Sequence, residues 1–133
     1  MIERVNQKAV TLKVGETDYA FRLTKLDAFA GAALLRLVCR TDKEESFRSF
    51  LLEHLSEQEL KNVMTAALEH VEVRLDAGWQ PVMQQGEWGW EEIRYDPVTC
   101  LALTAEECAF TLGAFFPESG ARSPAEAPRI PPA

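Results

Sequence analysis

VTLKVGETDYAFRLTKLDAFAGAALLRL, residues 10–37, decides the fold class of this chain. Its two halves have different periods. Val10, Leu12 and Val14 share one side of an alternating run, and Tyr19, Phe21 and Leu23 share one side of a second. Between the runs lies Gly15-Glu16-Thr17-Asp18, a polar stretch that opens on glycine. Two alternating runs joined in this way make the pattern of a β-hairpin. A hairpin alone is marginal in water, so its apolar face must rest on something. From Lys25 the period lengthens. Leu26, Phe29, Ala33, Leu34, Leu37 and Val38 recur near helical spacing. Thr24 followed by Asp27 resembles a capping box. A first helix is expected from about Lys25 to about Cys39, with Gly31 where another element comes close.

Further along, Phe47, Phe50, Leu51 and Leu55 predict a second helix from about Glu44 to Leu55. Ser56-Glu57-Gln58-Glu59 is a cleaner capping box and opens a third. Its stripe is Leu60, Val63, Met64, Ala67, Leu68 and Val71, running to about His70. Val71, Val73 and Leu75 also alternate with Glu72, Arg74 and Asp76, which fits a strand equally well. All three tryptophans follow, Trp79, Trp88 and Trp90, among Gly78, Pro81, Gly86 and Gly89. That composition predicts a loop or an irregular hairpin. Asp96 can cap a short helical turn over Pro97 to Leu101, with proline at its first position. Thr104-Ala105-Glu106-Glu107 reads as a third capping box, opening a last helix that ends at Pro117. Five of the seven prolines lie from Pro117 onward, so a disordered tail is expected over residues 118–133. The expected architecture is one mixed α+β domain over residues 1–117, mainly helical. It has an N-terminal hairpin, three or four helices and a tryptophan-bearing segment.

The chain of 133 residues carries a formal charge of −7, with 47% hydrophobic residues. That suits one soluble domain with a usable core. A negative coat repels phosphate, which disfavours nucleic acid and anionic membranes as partners. Met1-Ile2-Glu3-Arg4 is not the start of an apolar signal segment, and no run approaches the ~20 apolar residues of a membrane span. A cytoplasmic protein is expected. Cys39, Cys100 and Cys108 form no CxxC or Cys/His cluster, so they are expected to be buried free thiols rather than metal ligands.

No catalytic constellation stands out, and no cofactor or metal is expected. His54 and His70 sit near helix ends, where the dipole favours a cation. The acidic pairs Glu44/Glu45, Glu57/Glu59, Glu91/Glu92 and Glu106/Glu107 are expected at helix starts or on polar faces, as caps. A small enzyme would instead show Glu91, Glu92 or His70 in a pocket beside Cys100 or Cys108. Tryptophan carries a large apolar area with one N–H donor, so it usually anchors either a core or a partner. Trp79, Trp88 and Trp90 are therefore candidates for either role, and Phe115 and Phe116 are further candidates for partner contact.

The hairpin and capped helix of residues 10–37 resemble the opening of the tail assembly chaperones of long-tailed bacteriophages. That group often holds a Gly-x-x-Tyr-x-Phe-Arg-Leu-Thr type of stretch. Here it is Gly15-Glu16-Thr17-Asp18-Tyr19-Ala20-Phe21-Arg22-Leu23-Thr24, with one spacing difference. Ala114-Phe115-Phe116 is similar to aromatic helix ends in such proteins. The resemblance covers about the first third of the chain well. It implies a protein without catalytic residues, acting by contact on the tape-measure protein and, secondarily, the tail tube protein. It is compatible with a homo-oligomer. Two other classes remain as alternatives, a small adaptor or accessory protein of another phage or secretion assembly and a small enzyme with an unrecognised site.

Overall fold

The computed structural model describes residues 6–40 and 46–113. Helix takes 50% and strand 28% of them, so the fold is mixed α+β, with more sheet than the sequence suggests. Phe115, Phe116, the expected end of the last helix at Pro117 and the expected tail all lie outside the described residues.

Strands β1 (Gln7–Val14) and β2 (Thr17–Thr24) form the hairpin in full register, from Gln7 opposite Thr24 to Val14 opposite Thr17. The loop is shorter than the polar stretch implied. Gly15 takes a φ of 65°, which lets a two-residue turn close on the strands' own twist. Val14, Phe21 and Leu23 are buried, with Val10, Leu12 and Tyr19 packed beside them, as the alternation predicts. β3 (Val71–Leu75) pairs antiparallel with β2, and β4 (Gly78–Pro81) with β3, giving a four-stranded sheet in the order β1-β2-β3-β4. The ambiguous stretch after His70 is thus a strand. Its register sets Phe21 opposite Val73 and Leu23 opposite Val71, all fully buried. The tryptophan region adds a small hairpin, β5 (Met83–Gln84) with β6 (Glu87–Trp88), and a 3-10 turn over Glu91–Ile93. Gly89 lies so close to the Pro81 carbonyl that any Cβ there would overlap it. Only glycine allows this segment to fold back beneath β4.

Among the described residues, three helices separate β2 from β3. Helix α1 is Ala28–Val38, α2 is Phe47–Glu53 and α3 is Glu57–Leu68. Helix α1 starts three residues later than expected. Thr24 is still in the ladder, its N–H donating to the His70 carbonyl, and the Lys25 N–H donates to Asn6. The true cap is Asp27, whose carboxylate accepts from the Ala30 N–H at 2.9 Å. Helix α2 is capped by Ser46, with His54 at its C-terminal cap. Ser56 and Glu59 form the complete reciprocal box at the start of α3, as the sequence predicts.

Helix α4 runs without a break from Pro97 to Leu112. The expected short turn and separate last helix are one element. Asp96 caps it, accepting from the Thr99 N–H at 3.1 Å, with Pro97 at the first position. Nothing between Pro97 and Thr104 can stop a helix, so the Thr104 motif never becomes a start. Thr104 is buried at mid-helix, and its hydroxyl donates to the Cys100 carbonyl one turn back at 2.8 Å. Helix α4 also joins the two cores. Cys100 and Leu103 pack with the sheet, whereas Cys108 and Leu112 pack with Leu34, Val38, Phe50 and Leu51 of the other helices.

Candidate functional site

The tryptophans are mostly structural. Trp90 is buried, its ring edge-on to Tyr19 with centroids 4.8 Å apart, and its indole N–H donates to Glu92 Oε1 at 3.0 Å. It belongs to the sheet core. Trp79 is half-buried on the opposite side of the sheet, with the Arg22 guanidinium 4.3 Å and the Arg74 guanidinium 5.8 Å from its ring centre. Arg22 also donates from Nε to its cross-strand neighbour Glu72 at 2.9 Å. Trp88 is half-buried against the sheet core, paired with Met83 across the small hairpin. The three rings therefore do not converge on a shared exposed surface.

Large apolar side chains are exposed at four described positions, Phe29 on α1, Leu52 on α2, Tyr95 before α4 and Val98 in its first turn, and only Phe29 borders a groove of apolar lining. Phe29, expected on the inner stripe, is 88% exposed. The inner face is Gly31, Leu34 and Val38. Gly31 sits against α4, where a Cβ would meet the Thr111 methyl at 3.4 Å. This contact fixes the rotation of α1, and Phe29, two residues before Gly31, is turned outward. Phe29, Ala33, Arg36 and Arg40 then follow one another at spacings of three and four along an outer stripe.

Beside that stripe runs a groove of about 760 Å³. Helices α1 and α3 both pack on α4 rather than on each other, and the groove is the space left between them. Its walls are Ala30, Ala33 and Leu37 from α1 and Val63, Ala66 and Ala67 from α3, above Leu26 and Cys108. Arg36, Arg40, Glu59 and Asn62 form the polar rim. Arg40 donates to Glu59 Oε2 at 2.9 Å. The Ser56 backbone N–H and Arg40 together hold the Glu59 carboxyl below its usual value. Arg36 has no ion-pair partner among the described residues.

The residues that a small enzyme was expected to gather lie in separate surroundings. Burial pushes the Cys100 thiol up to about 11, and burial beside Glu107 pushes the Cys108 thiol up to about 12. Both are protonated near neutrality and poor nucleophiles. The His70 ring Nδ1 lies 3.0 Å from the Ala66 carbonyl, Glu91 meets Arg94 at 3.2 Å, and Glu92 holds Trp90. Cys39 at the end of α1 is exposed, contrary to expectation, because the apolar run has already turned outward there. In the native protein a thiol reagent is expected to modify Cys39 alone, with Cys100 and Cys108 reacting only after denaturation. Rapid reaction of a second thiol at pH 7 would contradict their burial. No group of three or more metal-binding side chains occurs among the described residues, and no helix among them is long and apolar enough to cross a membrane.

Glu107 was expected to serve a helix start, but it is fully buried at the middle of α4. Neither of its carboxylate oxygens has a hydrogen-bond partner among the described residues. Burial raises its pKa to about 8, and the Thr111 hydroxyl, near the carboxyl without making a well-formed hydrogen bond to it, opposes the shift only in part. No sequence signal marked this residue, since its neighbour Glu106 is partly exposed and meets Lys8 at 3.3 Å. No family model, curated protein or solved structure matches this chain.

Proposed function

We propose that this protein is a non-enzymatic assembly chaperone of a phage or prophage tail. It acts in the cytoplasm of the bacterial host and binds the tape-measure protein until the tube assembles around it. The groove between α1 and α3, open and apolar beside the exposed Phe29, carries this reading. Apolar surface of this kind on an otherwise charged protein marks a contact site. A tape-measure protein is a long apolar helical chain, and such chains need their surface covered. The charge of −7 keeps a loaded complex dispersed. The raised thiol pKa values of Cys100 and Cys108 favour contact over chemistry. The sequence of residues 10–37, with its likeness to tail assembly chaperones, supplies the identity of the partner.

Co-expression with the tape-measure product of the neighbouring gene is the test. The soluble fraction of that product should rise when this chain is present. Equal solubility in its absence refutes the proposal.

A further inference from the structure

Deepening the proposal above, and resting on it for the partner's identity, we infer that the groove seats one amphipathic helix of about three turns whose acidic residue pairs with Arg36. Geometry sets the shape of the occupant. Helix α1 has 11 residues and α3 has 12, so the walls are about 16–18 Å long at ~1.5 Å per residue. Both walls belong to helices that share α4 as a floor, and among the described residues no further helix lies between them. Four alanines line it, Ala30 and Ala33 on one side and Ala66 and Ala67 on the other. Small side chains on both walls let a helical backbone approach closely. An extended strand would find no free sheet edge here, since the walls are helical. The apolar floor of Leu26 and Cys108 suits a Leu or Ile stripe at i, i+3, i+4 and i+7.

Charge selects among such helices. Arg36 is the single charged residue of α1, stands on the rim, and is exposed. The other rim cation, Arg40, is already joined to Glu59. In a chain with 21 acidic and 14 basic residues, an arginine that is unpaired among the described residues and stands beside an apolar groove is a marker for a carboxylate from outside. A partner lysine at the same place would face Arg36 itself and be repelled.

The experiment uses the full chain, labelled with a fluorophore at the exposed Cys39 beside the groove. The probe is a peptide of about three turns with leucines at i, i+3, i+4 and i+7 and one flanking Glu, against the same peptide with Lys in its place. The wild-type chain should bind the Glu peptide, and the Lys peptide about fivefold more weakly. Arg36→Glu should reverse that preference. Ala33→Arg, at an exposed position where folding is unaffected, should weaken both by about tenfold or more, with an unchanged far-UV circular dichroism spectrum. Indifference to Glu against Lys, or to Ala33→Arg, overturns the inference. So does a Cys39 signal that follows the protein's own concentration without peptide, since a second copy would then fill the groove. The same variants in the co-expression test separate the two claims. If the wild type and Ala33→Arg keep the tape-measure product equally soluble, the chaperone function stands and the groove is not its seat. If the wild type fails there while the peptide preferences hold, the groove assignment survives and the tail function falls.

Discussion

Glu107→Gln is expected to stabilise the protein by about 2–4 kcal/mol at pH 8 and to change it little at pH 5. The cause is the carboxyl's pKa of about 8 in the folded chain against an ordinary value of 4.5. Below pH 4.5 both states hold the proton, and ionisation contributes nothing. Between 4.5 and 8 the unfolded chain releases its proton while the folded chain keeps it. Each pH unit in that window favours unfolding by about 1.4 kcal/mol. Above pH 8 the loss levels off, at roughly 3–5 kcal/mol in all. Glutamine has the same shape and no charge, so the variant's stability should be flat across the window. Glu107→Leu should gain at both pH values, because it also removes the unpartnered polar atoms. Urea denaturation of the wild type and both variants at pH 5 and pH 8 measures this. A wild-type midpoint that does not fall with rising pH would show that Glu107 reaches water or a partner.

Trp90→Ala should cost about 3–5 kcal/mol, the range for emptying a large aromatic site in a core. Trp90 is only 6% exposed and joins three parts of the fold. Its ring meets Tyr19 and Phe21 of β2 with centroids 4.8 and 6.3 Å away, and its N–H ties down Glu92 at the start of the 3-10 turn. Removal therefore opens a void under the sheet and frees the segment that leads into α4. Trp79→Ala is the matched control. Its ring lies on the outer side of the sheet against Arg22 and Arg74, a contact worth about 0.5–2 kcal/mol. A loss under about 1 kcal/mol for Trp90→Ala would place the indole outside the core. In the wild type, fluorescence from Trp90 should resist a soluble quencher, whereas Trp79 and Trp88 should respond.

These two residues mark the boundary between local and global information. Elements whose polar residues label the outer face were legible. The hairpin of β1 and β2 alternates strictly, and Ser56 with Glu59 satisfies its own helix start, because both devices act within a few residues. Asp96 with Pro97 likewise marks the start of α4. The misleading signals had the same local form without the local context. Thr104-Ala105-Glu106-Glu107 matches a capping box, but a capping residue must leave the helical conformation, and Thr104 is held inside a helix begun seven residues earlier by Pro97.

What the sequence by itself determined is the identity of most elements and the α+β class. What only the tertiary structure decided is which way those elements face. Helix α1 carries one charge, Arg36, so its sequence contains almost no information about its outer side. The approach of Thr111 to Gly31 chose the rotation, turned Phe29 to solvent and opened the groove. The pairing of β2 with β3 across about fifty residues, and the burial of Glu107 and Trp90, have the same origin. Burial is a property of contacts between distant segments, and periodicity within one segment can fix it only where polar and apolar residues are already sorted to opposite faces.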